Sequence, residues 1–126
     1  MKRDMELIRN ILVTIEATNF TPGQSIDIEG YDFKTVAFHV ELLKEAGYVV
    51  ATVGTTDIGE YTHVWPRRLT WEGYEFLDLS RSESVWQKSK TILKDKSISV
   101  SVAVLAELLK ELAKEALGLS GVQLPQ

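Results

Sequence analysis

Over the first eighteen residues the apolar positions Leu7, Ile8, Ile11, Leu12 and Ile15 recur at spacings of three and four, which predicts an amphipathic helix over 4–18 with Asp4 as its cap. The segment "NFTPGQSIDIEG" then mixes the turn formers Asn19, Pro22 and Gly23 with the alternation Ser25, Ile26, Asp27, Ile28, and predicts one brief strand stopped by Gly30. A second helix is expected from Asp32, its cap, to Ala46, with Val36, Val40 and Leu43 facing inward and Gly47 ending it. Next, "YVVATV" and "HVWPRRL" flank the turn-rich "GTTDIGEYT", the pattern of a β-hairpin with a long tip. Pro66 has no N–H for a ladder, so its strand belongs at an edge or carries a bulge.

Helical periodicity returns after Thr70. "WEGYEFLDLS" reads as a short helix despite Gly73, and Ser82 caps another over about 83–94 with Val85, Trp86, Ile92 and Leu93 as its apolar residues. On the last helix, about 101–117, Leu105, Leu108, Leu109, Leu112 and Ala116 form one stripe that Ala106, Ala113 and Leu117 widen. A surface helix needs an apolar stripe of only about 100°. The excess predicts two neighbours, one of them a candidate second copy of the chain held through Leu105, Leu108, Leu109 and Leu112. The residues after Gly118, 119–126, are expected to form a flexible tail.

With 126 residues, 44% hydrophobic and 25% charged, the chain is of a size and composition to form a real core without a disulfide or structural metal. It contains no cysteine, which removes thiolate zinc sites, iron–sulfur clusters and cysteine nucleophiles. The charged start "MKRDMELIRN" and the lack of any long apolar run point to a cytoplasmic protein with no membrane partner. Charge is divided unevenly. Residues 1–79 hold seven Lys or Arg against thirteen Asp or Glu, and residues 80–126 hold seven against five. A protein that grips a polyanion usually carries a basic stripe, and the larger part of this chain leans the other way.

Two stretches carry a resemblance. "TVAFHVELLKEAGYV", Thr35 to Val49, resembles the recognition-helix stretch of bacterial winged-helix repressors, and "RLTWEGYEFLD", Arg68 to Asp78, is similar to the stretch by which their chain leaves the wing. Together with the start "MKRDMELIRNIL" and the final Ala/Leu/Lys helix, they resemble the phage and prophage family called domain of unknown function 2513. The resemblance implies an α+β, mostly α fold: an abbreviated winged helix-turn-helix domain over 1–79 and a helical extension over 80–118 that packs on it. It implies a phage or prophage setting and brings no established activity. The domain is abbreviated because only about a dozen residues separate the first helix from the recognition-like one, too few for a full helix beside the "SIDI" strand.

Two functions from different classes follow. As a DNA-binding regulator or accessory protein, the chain would use Lys34 and Thr35 to position phosphates and Arg67 and Arg68 on the wing to clamp them, with dimerisation setting two half-sites. As a protein-interaction adaptor it would use the same helix through Phe38, Leu42 and Glu45. The outward face of that helix, Lys34, Phe38, Glu41, Leu42 and Glu45, carries more carboxylates than cations, a poor surface for base readout. Trp65, Trp71 and Trp86 can stack on bases, although tryptophans near a small core more often fill it. No catalytic residue, metal ligand or cofactor is assigned. His39 and His63 have no sequence neighbour arranged as a metal pair or an acid–base partner, and neither a phosphate-binding Gly-rich loop nor a G-x-S-x-G elbow occurs. Enzymatic activity is not expected.

Overall fold

In the computed structural model, residues 1–95 and 102–118 are described, and the expected tail over 119–126 lies outside them. The fold is α+β and mostly helical: α1 (Met5–Ala17), α2 (Phe33–Glu45), β1 (Val49–Thr55), β2 (Tyr61–Leu69), α3 (Trp71–Ser80), α4 (Glu83–Asp95) and α5 (Val102–Ala116). The chain divides into two compact units, Met1–Leu77 and Asp78–Gln126, with the boundary inside α3.

In the first unit α1 begins where Asp4 accepts a hydrogen bond from the Leu7 N–H at 3.2 Å, satisfying one of the donors a helix start leaves open. Its whole apolar stripe, Leu7, Ile8, Ile11, Leu12 and Ile15, is buried. Asp32 caps α2 in the same way, through the Thr35 N–H at 2.8 Å. Val36, Val40 and Leu43 face the core as the periodicity requires, joined by Ala37 and His39. Gly47, at φ +81°, lets the chain leave α2 through a left-handed turn in which the Tyr48 N–H reaches the Leu43 carbonyl at 2.9 Å. α1 packs on α2, and both pack against the hairpin.

The strand expected over Ser25–Ile28 is not formed. Among the described residues the sheet has two strands, β1 and β2. Of that segment only Ile26 is buried, a single anchor for a connection that then turns back, the Tyr31 N–H bonding the Ile28 carbonyl at 3.2 Å. Alternation makes a strand only where an edge is there to pair with.

β1 and β2 pair antiparallel, from Val49 opposite Leu69 to Thr55 opposite Tyr61. The register slips between Val50 and Ala51, where Arg67 is the extra residue, and again between Gly54 and Thr55, where Thr62 is. Pro66 therefore sits beside a bulge in a two-stranded sheet, where its missing N–H disrupts no continuous ladder.

The "LTWEG" stretch is a structural staple. Leu69 is buried, and the Thr70 hydroxyl donates to the Gly47 carbonyl at 2.6 Å while accepting from the Gly73 N–H at 3.1 Å. The Thr70 N–H bonds the Tyr48 carbonyl at 3.0 Å. Gly73 lies directly against that same carbonyl oxygen, so that a β-carbon there would collide with Tyr48. One turn on, the buried Phe76 ring meets Tyr48 with centroids 5.8 Å apart.

In the second unit α4 and α5 pack on each other. Ser82 caps α4 through the Val85 N–H at 3.4 Å, and Val85 and Trp86 are buried. The buried Ser89 hydroxyl is satisfied by the Trp86 carbonyl at 2.7 Å. On α5, Leu105, Leu109 and Leu112 are buried within a single chain, and Leu108 is half-buried.

Candidate functional site on the hairpin

The helix expected to read a partner, α2, has much of its outward chemistry already committed. Lys34 is exposed in the first turn. Thr35 is half-buried, its N–H given to Asp32 and its carbonyl accepting from His39 Nδ1 at 2.8 Å. The side-chain and backbone hydrogen bonds from Thr35 hold the Asp32 carboxyl below the usual carboxylate range. An ionised acid thus occupies the helix N-terminus where a phosphate would otherwise be favoured. Farther along, Phe38 and Leu42 are half-buried and Glu45 is exposed. Glu41 accepts from the Tyr61 hydroxyl at 2.7 Å. Burial first, and then this bond, push the Tyr61 phenol up to about 12.

His39, which has no sequence neighbour arranged as a metal pair or an acid–base partner, is fully buried and clamps two helices. Its Nδ1 donates to the Thr35 carbonyl and its Nε2 accepts from the Asp4 N–H at 2.8 Å, partners that require the neutral ring protonated on Nδ1. The Asp4 carboxylate also accepts from the Tyr31 hydroxyl at 3.1 Å. That bond is the main cause raising the Tyr31 phenol above its ordinary range. Both ring nitrogens of His39 are engaged, so it offers neither to a ligand.

The hairpin is different. Arg67, the bulged residue, is exposed and has no ion pair among the described residues. Arg68 is also exposed, with its Nη1 on the Leu69 carbonyl at 3.0 Å. Trp65 stays 37% exposed while stacked on His63, the ring centroids 4.0 Å apart and the planes 24° from parallel. The stack is possible because His63 lies over Gly54 on the paired strand, where any side chain would collide with the imidazole. Beside Trp65 opens a cleft of about 370 Å³, near the lower end of ligand-site volumes, lined by Phe20 and Pro22 from the α1–α2 connection and by Thr52, Trp65, Pro66 and Arg67 from the hairpin. None of its lining residues is acidic.

Sequence reasoning chose Arg67 and Arg68 but treated His63 as isolated and the Phe20–Gly23 segment as a plain turn. The signal for His63 was present: it stands two residues from Trp65, and side chains two apart share a strand face. Phe20 gave a weaker signal, an aromatic residue next to a Pro-Gly turn. Nothing in the chain order joins it to residues some forty-five positions later. Among the described residues no group of three or more His, Asp or Glu side chains is placed to hold a metal ion. No helix there is long and apolar enough to cross a membrane.

Fold and site together define a small α+β protein with an aromatic and cationic hairpin beside an apolar cleft. The chain belongs to the family described as hypothetical protein (DUF2513), whose profile matches residues 2–99. It is 33% identical over 119 residues to an uncharacterized protein of Haemophilus influenzae (strain ATCC 51907 / DSM 11121 / KW20 / Rd), an alignment covering 93% of this chain and 99% of the relative. No solved structure matches significantly.

Proposed function

We propose that this protein is a nucleic-acid-binding accessory protein of winged-helix type that contacts its partner through the hairpin, not through the helix preceding it. The observation that carries the reading is the contrast between two surfaces of one unit. The hairpin presents Arg67 and Arg68 beside a half-open Trp65. On α2, Asp32 caps the N-terminus, Glu41 is held by Tyr61, and Glu45 is exposed. Phosphates favour the first surface and are repelled by the second. Two arginines on a body rich in carboxylates give a modest, salt-sensitive contact in place of a tight operator complex. The order helix, helix, hairpin supports the winged-helix assignment. The phage or prophage setting and the cytoplasmic location stay expectations of the family resemblance and of the chain's composition.

The test is affinity for nucleic acid against salt. Binding measurable in 50 mM salt, with a log–log slope that Arg67→Ala/Arg68→Ala flattens by about 1.4 on a single strand or about 1.8 on a duplex, supports the proposal. No binding at that salt, or an unchanged slope in the double variant, overturns it. A second reading, protein docking through Phe38, Leu42 and Glu45, draws on the apolar pair Phe38 and Leu42 one turn apart on α2, each half-buried. It becomes the better account if no oligonucleotide binds.

A further inference from the structure

We infer that the cleft beside Trp65 is a subsite for one unstacked nucleobase, so that the hairpin takes single-stranded nucleic acid in preference to duplex. This inference rests on the nucleic-acid reading above and specifies the strand state.

What the cleft can recognise is set by its lining. One flat face of Trp65 is covered by His63, the residue remains 37% exposed, and it lines the cleft. The same cleft is lined by Phe20, Pro22 and Pro66, and by Arg67, whose charge no carboxylate neutralises among the described residues. A flat, polarisable, weakly polar group joined to an anion matches that set, and a nucleotide has this composition: the base enters the apolar cleft beside Trp65 and its phosphate meets the guanidinium.

The strand state follows from electrostatics. Affinity for duplex comes chiefly from counterions released as cations neutralise phosphates. Residues 1–79 hold thirteen acids against seven Lys or Arg, and Asp57 and Glu60 stand exposed at the hairpin tip, so the unit provides little of that term. Stacking must supply the rest. In a duplex the base faces are already stacked and out of reach of Trp65, whereas in a single strand each base offers a free face. The built stack of His63 on Gly54 and Trp65 on His63 holds the indole in place before a ligand arrives, which lowers the ordering cost of binding.

The experiment compares a twelve-residue oligothymidylate with a blunt-ended, loop-free duplex of the same length, in low salt, on the full chain. Trp71, at 75% exposed, is replaced by phenylalanine, so that the responsive tryptophan is Trp65, Trp86 being fully buried. The expected result is single-strand binding at least about tenfold tighter than duplex binding, with quenched tryptophan fluorescence. The salt slope should be shallow, about −1.4 for two phosphates on a single strand. Phe20→Ala should weaken single-strand binding by at least about fivefold and leave duplex binding unchanged. Because Phe20 is itself half-buried, Thr52→Phe supplies the second arm: Thr52 is exposed on β1, an aromatic suits a strand, and the larger side chain fills the cleft from its wall. That variant should lose the single-strand preference while keeping its folded spectrum. Nucleic-acid binding that depends on Arg67 and Arg68 but shows no single-strand preference and no quenching overturns this inference alone. Absence of binding to either oligonucleotide overturns the underlying proposal with it.

Discussion

Replacing Gly73 by alanine should destabilise the first unit, against the ordinary rule. In a helix, alanine is favoured over glycine by about 1 kcal/mol, and Gly73 stands near the start of α3. Here the added β-carbon would overlap the Tyr48 carbonyl oxygen and come within 3.1 Å of the Tyr48 carbonyl carbon and 3.3 Å of the Leu69 β-carbon. Two of those neighbours are backbone atoms, which cannot rotate aside. Relief requires α3 to lift from the α2–β1 turn. That movement breaks the Thr70 N–H bond to Tyr48 and the Thr70 hydroxyl bond to Gly47, each worth about 1 kcal/mol net. It also partly uncovers Phe76, now 1% exposed, whose full burial contributes about 1.5–3 kcal/mol. Set against the helix-propensity gain, the net loss is about 2–3 kcal/mol. Urea unfolding followed by circular dichroism should then show the midpoint lowered by roughly 1–2 M at an unchanged slope. A midpoint equal to or above that of the parent chain would refute the claim that this glycine is set by contact with Tyr48.

Other outcomes follow from the same geometry. His39→Ala should cost about 2–4 kcal/mol in denaturant unfolding, since it opens a cavity in the core and strands the Asp4 N–H; a loss below about 1 kcal/mol would show that the clamp between α1 and α2 is dispensable. The Tyr61 phenol titrates near 12 when folded, above the ordinary 10. The folded chain therefore keeps that proton longer than the unfolded one, so the stabilisation is complete below about pH 10 and is lost as pH rises through 12. Alkaline unfolding of Tyr61→Phe should lack that decline, and superimposable curves for variant and parent would contradict the assignment. Gly54→Val should push His63 off its seat over β1 and break its stack with Trp65; an unaltered tryptophan emission spectrum would count against the stack.

What was legible in the sequence was whatever a local rule determines. Asp4 and Asp32 were readable as caps because a carboxylate before an apolar stripe has few better uses, and Gly47 as a stop because its turn requires positive φ. Val36, Val40 and Leu43 were placed inward by period alone. The "SIDI" alternation misled because period two records which residues alternate and not whether a partner strand exists. The role of Gly73 was hidden for a related reason. In sequence it is a helix-weakening glycine, and only the approach of α3 to Tyr48 turns it into a requirement. The candidate site was half readable. Arg67 and Arg68 stand out as adjacent cations on a strand, but the cleft exists only because the α1–α2 connection brings Phe20 and Pro22 beside the hairpin. The commitment of Glu41 to Tyr61, which changes what α2 offers a partner, likewise depends on a contact across twenty residues of chain.

The claim that the hairpin, and not α2, meets nucleic acid is tested most directly by amide chemical shifts of the isotope-labelled chain during titration with oligothymidylate. The expected result is progressive shifts at Phe20, Thr21 and Gly23, at Thr52, and at His63, Val64, Trp65, Arg67 and Arg68, with little change over 34–45. Shifts concentrated on Lys34, Phe38, Leu42 and Glu45, with the hairpin silent, would contradict it.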